Sequence, residues 1–423
     1  MGSNQDGVAI AAEIDVRNRS LGIREKLPVN GLMEYWYPAM VANKVGTTKP
    51  ASLKIGGKTI VLFRDTNGEV VAIDNLCTHR GAYMSHGRSH FKGTLSCPYH
   101  GWTFNAKGEL LAVLGEGPES DVPGSRGTAI RSYPTKTLMG VVFVWMGEGE
   151  PAPPEQDIPP ELFDDKKYLV MVGERVWHAN WRPGIENYSD AHVYYVHRNS
   201  LEVLFQAPAG LLTILHSGPN RPELTRVNDR ALVFKPGIST VLNYADRTSG
   251  DKARDEVGRN MTERPLQDVY PKLQGQKFPL TNWRMRLARI AGVWRGIAKP
   301  MPNLHPPGTE WASGLHLPCI VRVDYRRLMF TRYEVPIDEN QTNNFYFFAV
   351  RRRGPLNTLF WKAYFALYFR WKMIVNFSEQ DAQMAAITDY SAPERLTGTD
   401  KFLREWRRLI IDCARKPTGK ATE

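Results

Sequence analysis

Two short stretches, Cys77-Thr-His-Arg-Gly81 and Cys97-Pro-Tyr-His-Gly-Trp102, decide the fold of the first part of this chain. Each stretch pairs a thiol with an imidazole, as Cys-x-His and Cys-x-x-His, and seventeen residues separate the two pairs. Two thiolates and two imidazoles suit either a tetrahedral zinc ion or a two-iron cluster in which the cysteines hold one iron and the histidines the other. The residue types alone leave both alternatives open.

Signals for β-hairpins surround both stretches. Two apolar runs, 61–63 and 70–73, flank Thr66-Asn-Gly68, and Asn-Gly between β-rich runs is a strong hairpin signal. A second hairpin is predicted from 102–104 and 110–111 around Lys107-Gly108. The run 140–145 predicts a buried strand, and the five prolines between 151 and 160 predict a domain boundary.

With its surroundings, the Cys/His pattern resembles the signature of Rieske [2Fe–2S] proteins, whose ligands lie at the tips of two hairpin loops. The resemblance implies that Cys77, Cys97, His79 and His100 hold the cluster, and it favours the cluster over zinc. Two histidine ligands raise the potential of such a cluster well above that of an all-cysteine one. His86 and His90 fit neither spacing and are expected to be surface residues.

A second metal site is predicted downstream, where His192 and His197 lie in a segment rich in polar groups. Two histidines and one carboxylate on a single face leave positions open on iron(II). Residues five apart on a regular α-helix point about 140° away from each other. Both rings therefore reach one metal only if a π-bulge or a helix end lies between them.

The carboxylate ligand has to come from elsewhere in the chain. Asp381, at the start of an otherwise apolar helix, is the preferred candidate, and Glu379 and Asp389 are the alternatives. A carboxylate at a helix start also caps the helix or stabilises its dipole, so the position by itself does not prove ligation.

Length, composition and net charge restrict the class of protein. A chain of 423 residues predicts two domains. Four cysteines are too few for a disulfide scaffold, and no apolar run is long enough to span a bilayer. The first residues carry no secretory signal pattern, so a cytoplasmic location is expected. The net charge of +11 is compatible with nucleic acid, an anionic membrane or an acidic protein partner.

The second region mixes strands with helices. Strands are predicted at 223–235, with a turn at Asn228-Asp229, and at 319–334 and 343–351, whereas helical periodicity covers 358–376, 378–390 and 396–414. We therefore predict the α+β class, with an antiparallel sheet packed against long helices. The many aromatic residues between 359 and 376 are available either for core packing or for an apolar substrate pocket.

From about residue 35 to 415 the chain resembles the α subunits of ring-hydroxylating Rieske oxygenases. Within them it is most similar to the α-only carbazole dioxygenase branch, through 180–182, 186–187, 197–200 and 335–340. The resemblance implies an N-terminal arm (1–34), an all-β Rieske domain (35–150) and a helix-grip catalytic domain (151–423). It further implies a homotrimer, a [2Fe–2S] cluster and one Fe(II) per subunit, and electrons from NADH through a reductase and a ferredoxin.

The resemblance also implies roles for two residues beside the histidines. In the family an Asp shortly before the first iron histidine links two subunits, and Asp190 fits this position with His100 as its partner. One residue separates Asp190 from His192, where the family usually has two. Asn187 then takes a larger share of the contact if the geometry differs.

These observations predict a terminal oxygenase that hydroxylates or demethylates an apolar, ring-containing substrate with O₂. One rival hypothesis is a Rieske electron carrier without a mononuclear iron. The other is a zinc-stapled protein that binds nucleic acid, which would account for the positive charge. We expect no nucleic-acid partner and attribute the charge to docking of an acidic ferredoxin.

Overall fold

A computed structural model describes residues 22–188, 192, 196–197, 200, 213–215, 224–234, 241–243, 304–325, 328–397 and 400–416. The chain divides into two compact units that are not contiguous in sequence. One unit consists of 29–170, 335–343 and 415–423, and the other of 1–28, 171–334 and 344–414. No helix among the described residues is both long and apolar enough to cross a bilayer.

The unit that contains residues 29–170 is built from small antiparallel sheets with the orders β1-β10-β9, β2-β3-β4-β8 and β5-β6-β7. Their strands are β1 (Trp36–Val41), β2 (Ala51–Ile55), β3 (Lys58–Arg64), β4 (Val70–Asp74), β5 (Thr94–Ser96), β6 (Trp102–Asn105), β7 (Leu110–Val113), β8 (Ser132–Tyr133), β9 (Thr135–Leu138) and β10 (Val141–Trp145).

Both predicted hairpins are present in this unit. Strands β3 and β4 pair antiparallel around the Asn-Gly turn, where Gly68 has a φ of 85° that favours glycine. Strands β6 and β7 pair around Gly108, whose φ is 79°. The predicted buried strand is β10, and all five of its residues are buried.

The other unit is organised around a seven-stranded sheet with the order β11-β19-β18-β17-β16-β14-β13. Its strands are β11 (Tyr168–Trp177), β13 (Leu224–Val227), β14 (Ala231–Phe234), β16 (Gly314–His316), β17 (Ile320–Asp324), β18 (Leu328–Pro336) and β19 (Thr342–Arg351), and a separate pair is formed by β12 (Thr213–Leu215) and β15 (Val241–Asn243).

One strand prediction in this region was wrong. The segment 319–334 is not a single strand, because β17 and β18 fold back on each other with Ile320 opposite Tyr333. The polar run Asp324-Tyr-Arg-Arg327 interrupts the apolar pattern between the two strands, and the strand prediction did not use this turn signal. The turn predicted at Asn228-Asp229 is confirmed, and both residues have a positive φ, near 50°.

The described α-helices are α1 (Trp181–Asn187), α2 (Pro355–Tyr364), α3 (Ser378–Ile387) and α4 (Lys401–Cys413). Helix α2 continues into α3 through two π-helical segments, Phe365–Phe369 and Trp371–Phe377. Helix α2 begins with Pro355 directly after Gly354, as expected for a proline in the first turn. The predicted α+β class, a β-rich unit followed by an antiparallel sheet with helices, is confirmed.

Candidate metal centres

Two loops of matching design carry the Cys/His pairs. In the first loop the Cys77 amide donates to Ala82 O at 2.9 Å, and the Gly81 amide donates back to Cys77 O at 2.9 Å. In the second loop the Cys97 amide donates to Trp102 O at 2.7 Å, and the Gly101 amide donates to Cys97 O at 3.2 Å. Each loop therefore turns back on itself within six residues.

The glycines make these turns possible. Gly81 and Gly101 have φ values of 75° and 69°, in the left-handed region that side chains disfavour. In the second loop there is also no space for a side chain at position 101, since a Cβ on Gly101 would lie 2.6 Å from Leu114 Cβ. The first loop extends from the end of β4, and the bridge between Leu76 and Tyr83 closes it. The second loop connects β5 and β6.

The two cysteines and the two histidines of these loops differ in burial. Cys77 and Cys97 are buried in the core below the loops, whereas His79 is exposed and His100 is half-buried. The two imidazole rings lie 4.6 Å apart, and His79 stacks on Trp102 at 4.8 Å with an interplanar angle of 2°. Both surface predictions nearby are confirmed, because His86 and His90 are exposed.

This arrangement suits a two-iron cluster better than zinc. Around one tetrahedral zinc the Zn–S and Zn–N distances would hold all four donor atoms within about 4.6 Å of one another. Among the residues that the structure describes, the only group of three or more such donors within 4.8 Å lies elsewhere. Two buried sulfurs below two outer imidazoles fit a cluster with a sulfur-bound inner iron and a histidine-bound outer iron.

The inner thiols lie in a dry environment. Burial, together with the neighbouring Cys97, raises the pKa of the Cys77 thiol to about 11. A thiol must lose its proton to bind a metal, so iron binding here releases protons.

The second site brings together His192, His197 and Asp381. Their ligand atoms all lie within 4.8 Å of one another. Asp381 Oδ1 is 2.9 Å from His197 Nε2 and 3.3 Å from His192 Nε2. The two rings are 5.2 Å apart and inclined at 63°. Helix α3 thus carries a carboxylate from almost two hundred residues downstream to both imidazoles.

The surroundings of His197 match those of a metal ligand. Its Nδ1 lies 3.1 Å from Gln380 Oε1, an acceptor that favours the tautomer with hydrogen on Nδ1 and a lone pair on Nε2. The Nε2 atom is buried without a hydrogen-bond partner of acceptable geometry, although Asp381 Oδ1 is close. Phe377 stacks on the ring at 3.8 Å. A buried lone pair next to a carboxylate oxygen fits a divalent metal.

The Asp381 carboxylate is held in its charged form. Burial alone would raise its pKa, but the two imidazoles keep the pKa well below the ordinary value. Asn187 Nδ2 donates to Oδ1 at 2.9 Å. Asn187, predicted as a site residue, therefore contacts the carboxylate at the end of α1.

A buried ion pair lies against the other carboxylate oxygen. Arg332 Nη1 is 3.5 Å from Asp381 Oδ2, and Arg332 Nη2 donates to Glu334 Oε1 at 2.6 Å. Both residues are on β18 and both are buried. Burial raises the pKa of Glu334 to about 7, and Arg332 opposes that effect.

The alternative carboxylates lie away from the histidines. Glu379 pairs with Arg175, with 2.8 Å between Oε2 and Nη2. Asp389 is exposed and accepts from the backbone and hydroxyl of Ser391 at 2.9 and 2.6 Å. The structure therefore brings Asp381, and neither alternative, to the imidazoles.

Two predictions near the histidines concern residues outside those described. Asp190 is one of these residues, and so are 193–195, where the π-bulge was predicted. What the structure describes is that α1 ends at Asn187 and that the Val196 amide donates to His192 O at 2.8 Å. Among the described residues, π-helical turns occur in the segment that leads into α3 and Asp381.

A second buried network fixes α1. Arg407 on α4 binds both oxygens of Glu186, at 2.7 and 2.9 Å, and Tyr390 Oη donates to Glu186 Oε1 at 2.9 Å. Arg407 also pairs with Glu394. Since Glu186 directly precedes Asn187, this network holds the helix end that contacts Asp381.

Sequence reasoning missed Arg332, Glu334 and Gln380. A signal existed for the first two, because 328–336 is an apolar strand with opposite charges two residues apart, hence on one face. Charges in a fully buried strand are expected to pair and to serve a site. Gln380 had no such signal, since its partner is distant in sequence.

A β-rich unit with two Cys/His loops, joined in one chain to a sheet-and-helix unit with a two-histidine, one-carboxylate cluster, defines the Rieske non-haem iron class of proteins. Residues 35–134 match the Rieske [2Fe–2S] domain, and residues 145–416 match the homotrimeric ring hydroxylase family. The chain belongs to this ring hydroxylase family. Membership implies a [2Fe–2S] cluster and a mononuclear iron.

Curated relatives carry oxygenase names. The chain is 37% identical over 183 residues to the terminal oxygenase component of carbazole 1,9a-dioxygenase from Sphingomonas sp., a match that covers 43% of this chain and 46% of the relative. It is 32% identical over 177 residues to the oxygenase subunit of 3-chlorobenzoate-3,4-dioxygenase from Comamonas testosteroni, covering 41% and 40% of the two chains. The matches thus span less than half of these relatives.

Solved structures agree in fold over nearly the whole chain. The terminal oxygenase of carbazole 1,9a-dioxygenase from Novosphingobium sp. KA1 superposes with a TM-score of 0.67 at 21% identity, covering 96% of this chain and 100% of the other. A reduced oxygenase–ferredoxin complex of carbazole 1,9a-dioxygenase superposes with a TM-score of 0.69 at 20% identity, covering 94% and 95%. At this level of identity the likeness concerns the fold.

Proposed function

We propose that the chain is the terminal oxygenase component of a multicomponent Rieske system, which hydroxylates an apolar, ring-containing substrate. The observation that carries this proposal is the cluster of His192, His197 and Asp381 in a chain that also holds the two Cys/His loops. Two imidazoles and one carboxylate leave coordination positions free on iron(II) for O₂ beside a substrate.

We assign separate roles to the residues of the two sites. Cys77, Cys97, His79 and His100 hold the cluster, and His192, His197 and Asp381 hold the iron. When bound, the cluster supplies single electrons and the iron activates O₂. Gln380 fixes the tautomer of His197, Asn187 and Arg332 contact the two oxygens of Asp381, and Trp102 orients His79 by stacking.

We assign 35–150 to the Rieske domain and 151–423 to the catalytic domain, after an arm of residues 1–34. The family matches at 35–134 and 145–416 support this partition. The family description supports a homotrimer. In that trimer Asp190 would link His100 of one subunit to an iron-binding histidine of the next.

In this proposal a ferredoxin and an NADH-dependent reductase supply the electrons. Because NADH-dependent reductases work in the cytoplasm, we also propose a cytoplasmic location. The net charge of +11 favours an acidic ferredoxin. Screening weakens such docking, so raising ionic strength from 0.01 to 0.15 M should slow reduction of the cluster. Reduction that is independent of salt would argue against an electrostatic partner.

The substrate class is a neutral bicyclic or tricyclic arene. The name of the carbazole relative supports this choice over acidic arenes such as 3-chlorobenzoate. The test is O₂ uptake by the reduced protein with carbazole, fluorene and 3-chlorobenzoate, with ¹⁸O₂ label followed into the product. Uptake with a neutral polycycle supports the proposal, and uptake with the benzoate alone overturns the substrate class.

Metal analysis separates the oxygenase from its rivals. We expect about three irons per chain and acid-labile sulfide in a red-brown preparation. An electron carrier would hold only the cluster iron. A zinc-stapled protein would be colourless and would bind DNA with a steep salt dependence.

A further inference from the structure

Arg332 connects the strand below the iron site to the iron's carboxylate. It lies on β18 and is buried, with a relative exposure of 4% for the residue. Besides Asp381 and Glu334, it contacts Gly184 O at 3.3 Å in α1, and it lies over the Trp177 ring at 4.8 Å in β11. One side chain thus joins α1, α3 and two strands of the sheet.

The two oxygens of Asp381 have different neighbours. Oδ1 faces both imidazoles and also accepts from Asn187. Oδ2 lies 3.5 Å from Nη1 of the Arg332 guanidinium. A carboxylate held in this way presents one oxygen, rather than both, to a metal between the histidines.

Glu334 fixes Arg332 independently of any metal. Its carboxylate is fully buried, and Oε1 accepts from Arg332 Nη2 at 2.6 Å. Space for this carboxylate exists only because residue 184 is glycine, since a Cβ there would lie 2.1 Å from Glu334 Oε2. The pair is therefore built into the packing between α1 and β18.

We propose that Arg332 is a positioning residue for the mononuclear iron, which holds Oδ2 of Asp381 so that the metal is bound through Oδ1 alone. Glu334 keeps Arg332 in that position. A one-oxygen carboxylate leaves one more position open on the metal than a two-oxygen carboxylate does. The inference rests on the proposed function, because it assumes that Asp381 binds iron.

The main test removes the pair as a unit, in the double variant Arg332→Met/Glu334→Met. Replacing both members of a buried ion pair with apolar side chains leaves no uncompensated charge, so the fold is expected to survive. Loss of a residue that orients a metal ligand typically weakens metal affinity by about 10–100-fold. We expect this loss for Fe(II) in chelator competition, together with an altered EPR spectrum of the ferrous–nitrosyl adduct.

The matched control is Arg175→Gln/Glu379→Gln. This pair also joins β11 to α3, two residues from Asp381, but it is partly exposed and has no contact with the carboxylate. Its iron affinity and nitrosyl spectrum should equal those of the parent. The visible absorbance of the Rieske cluster serves as an internal reference in every variant.

The outcomes separate the inference from the proposed function. If Asp381→Ala binds Fe(II) as tightly as the parent, the proposed ligand set is wrong, and the inference falls with it. If Asp381→Ala loses iron while the double variant keeps parent affinity and spectrum, only the inference is overturned. Arg332→Lys, which keeps the charge, provides a second variant and should lose less affinity than the double variant. If neither folds, the pair is structural, and this also overturns a positioning role.

Discussion

The two candidate metal centres are built in opposite ways. The Cys/His centre uses two loops within residues 77–102, each closed by its own backbone hydrogen bonds, and its histidines reach the surface. The His/Asp centre uses residues 192, 197 and 381, is nearly dry, and depends on buried ion pairs from other elements. A local centre needs only its hairpins, whereas a dispersed centre needs the folded sheet and helices around it.

This difference matches the chemistry proposed for each centre. A cluster that exchanges electrons with a partner benefits from ligands near the surface. A ferrous ion that holds O₂ beside an apolar substrate benefits from a buried site with fixed ligands. If this comparison is correct, each centre can be removed without the other, and the dispersed centre responds to distant substitutions.

The largest expected effect is selective loss of one metal centre. Cys97→Ser should lower iron from about three to about one atom per chain and remove the cluster absorbance, whereas Asp381→Ala should lower it to about two and keep the absorbance. Both variants should lose turnover. Metal analysis with visible spectroscopy checks this. Loss of both metals in either variant would show that the centres do not form independently.

Next in size is the effect of breaking the network at α1. Glu186→Ala leaves the buried Arg407 with fewer partners and should cost about 3–5 kcal/mol of unfolding free energy. Because Asn187 follows Glu186 and contacts Asp381, the substitution should also weaken iron binding. The absorbance of the cluster should not change. Denaturant unfolding is the measurement. Glu405→Ala, which breaks the exposed pair with Arg408, is the control and should change stability by less than about 0.5 kcal/mol.

A smaller effect concerns pH. The folded pKa of Glu334, about 7, lies above its ordinary value of 4.5. Between pH 4.5 and 7 the folded protein keeps the Glu334 proton while the unfolded chain loses it. The free energy of unfolding therefore falls by about 3 kcal/mol in total as pH rises from below 4.5 through 7. The metal-free Glu334→Gln variant should lack this part of the pH dependence. Parallel stability–pH curves for parent and variant, from unfolding at several pH values, would contradict it.

The smallest effect separates the two Rieske loops. Position 81 has a positive φ but open space for a Cβ, so Gly81→Ala should lower the free energy of unfolding by about 1 kcal/mol. Gly101→Ala has the same backbone requirement and also meets Leu114, so it should cost about 2 kcal/mol or more. Thermal unfolding of the two variants side by side tests the order, and equal costs would mean that Leu114 moves aside freely.

Sequence by itself determined much of this protein. The Cys77–Gly81 and Cys97–Trp102 stretches, with their Asn-Gly and Lys-Gly turns, predicted the hairpins, because turn chemistry and strand alternation act over a few residues. Asp381 and the two histidines could be named from spacing and from family resemblance. The α+β class followed from the change of period along the chain.

Only the tertiary structure decided which groups meet. No local rule could join Arg332 to Asp381 or Gln380 to His197. Such contacts depend on how the strands and helices pack, and sequence distance carries no record of that. The physical reason is that burial makes an unpaired charge costly, so the partners are selected by the packed core as a whole.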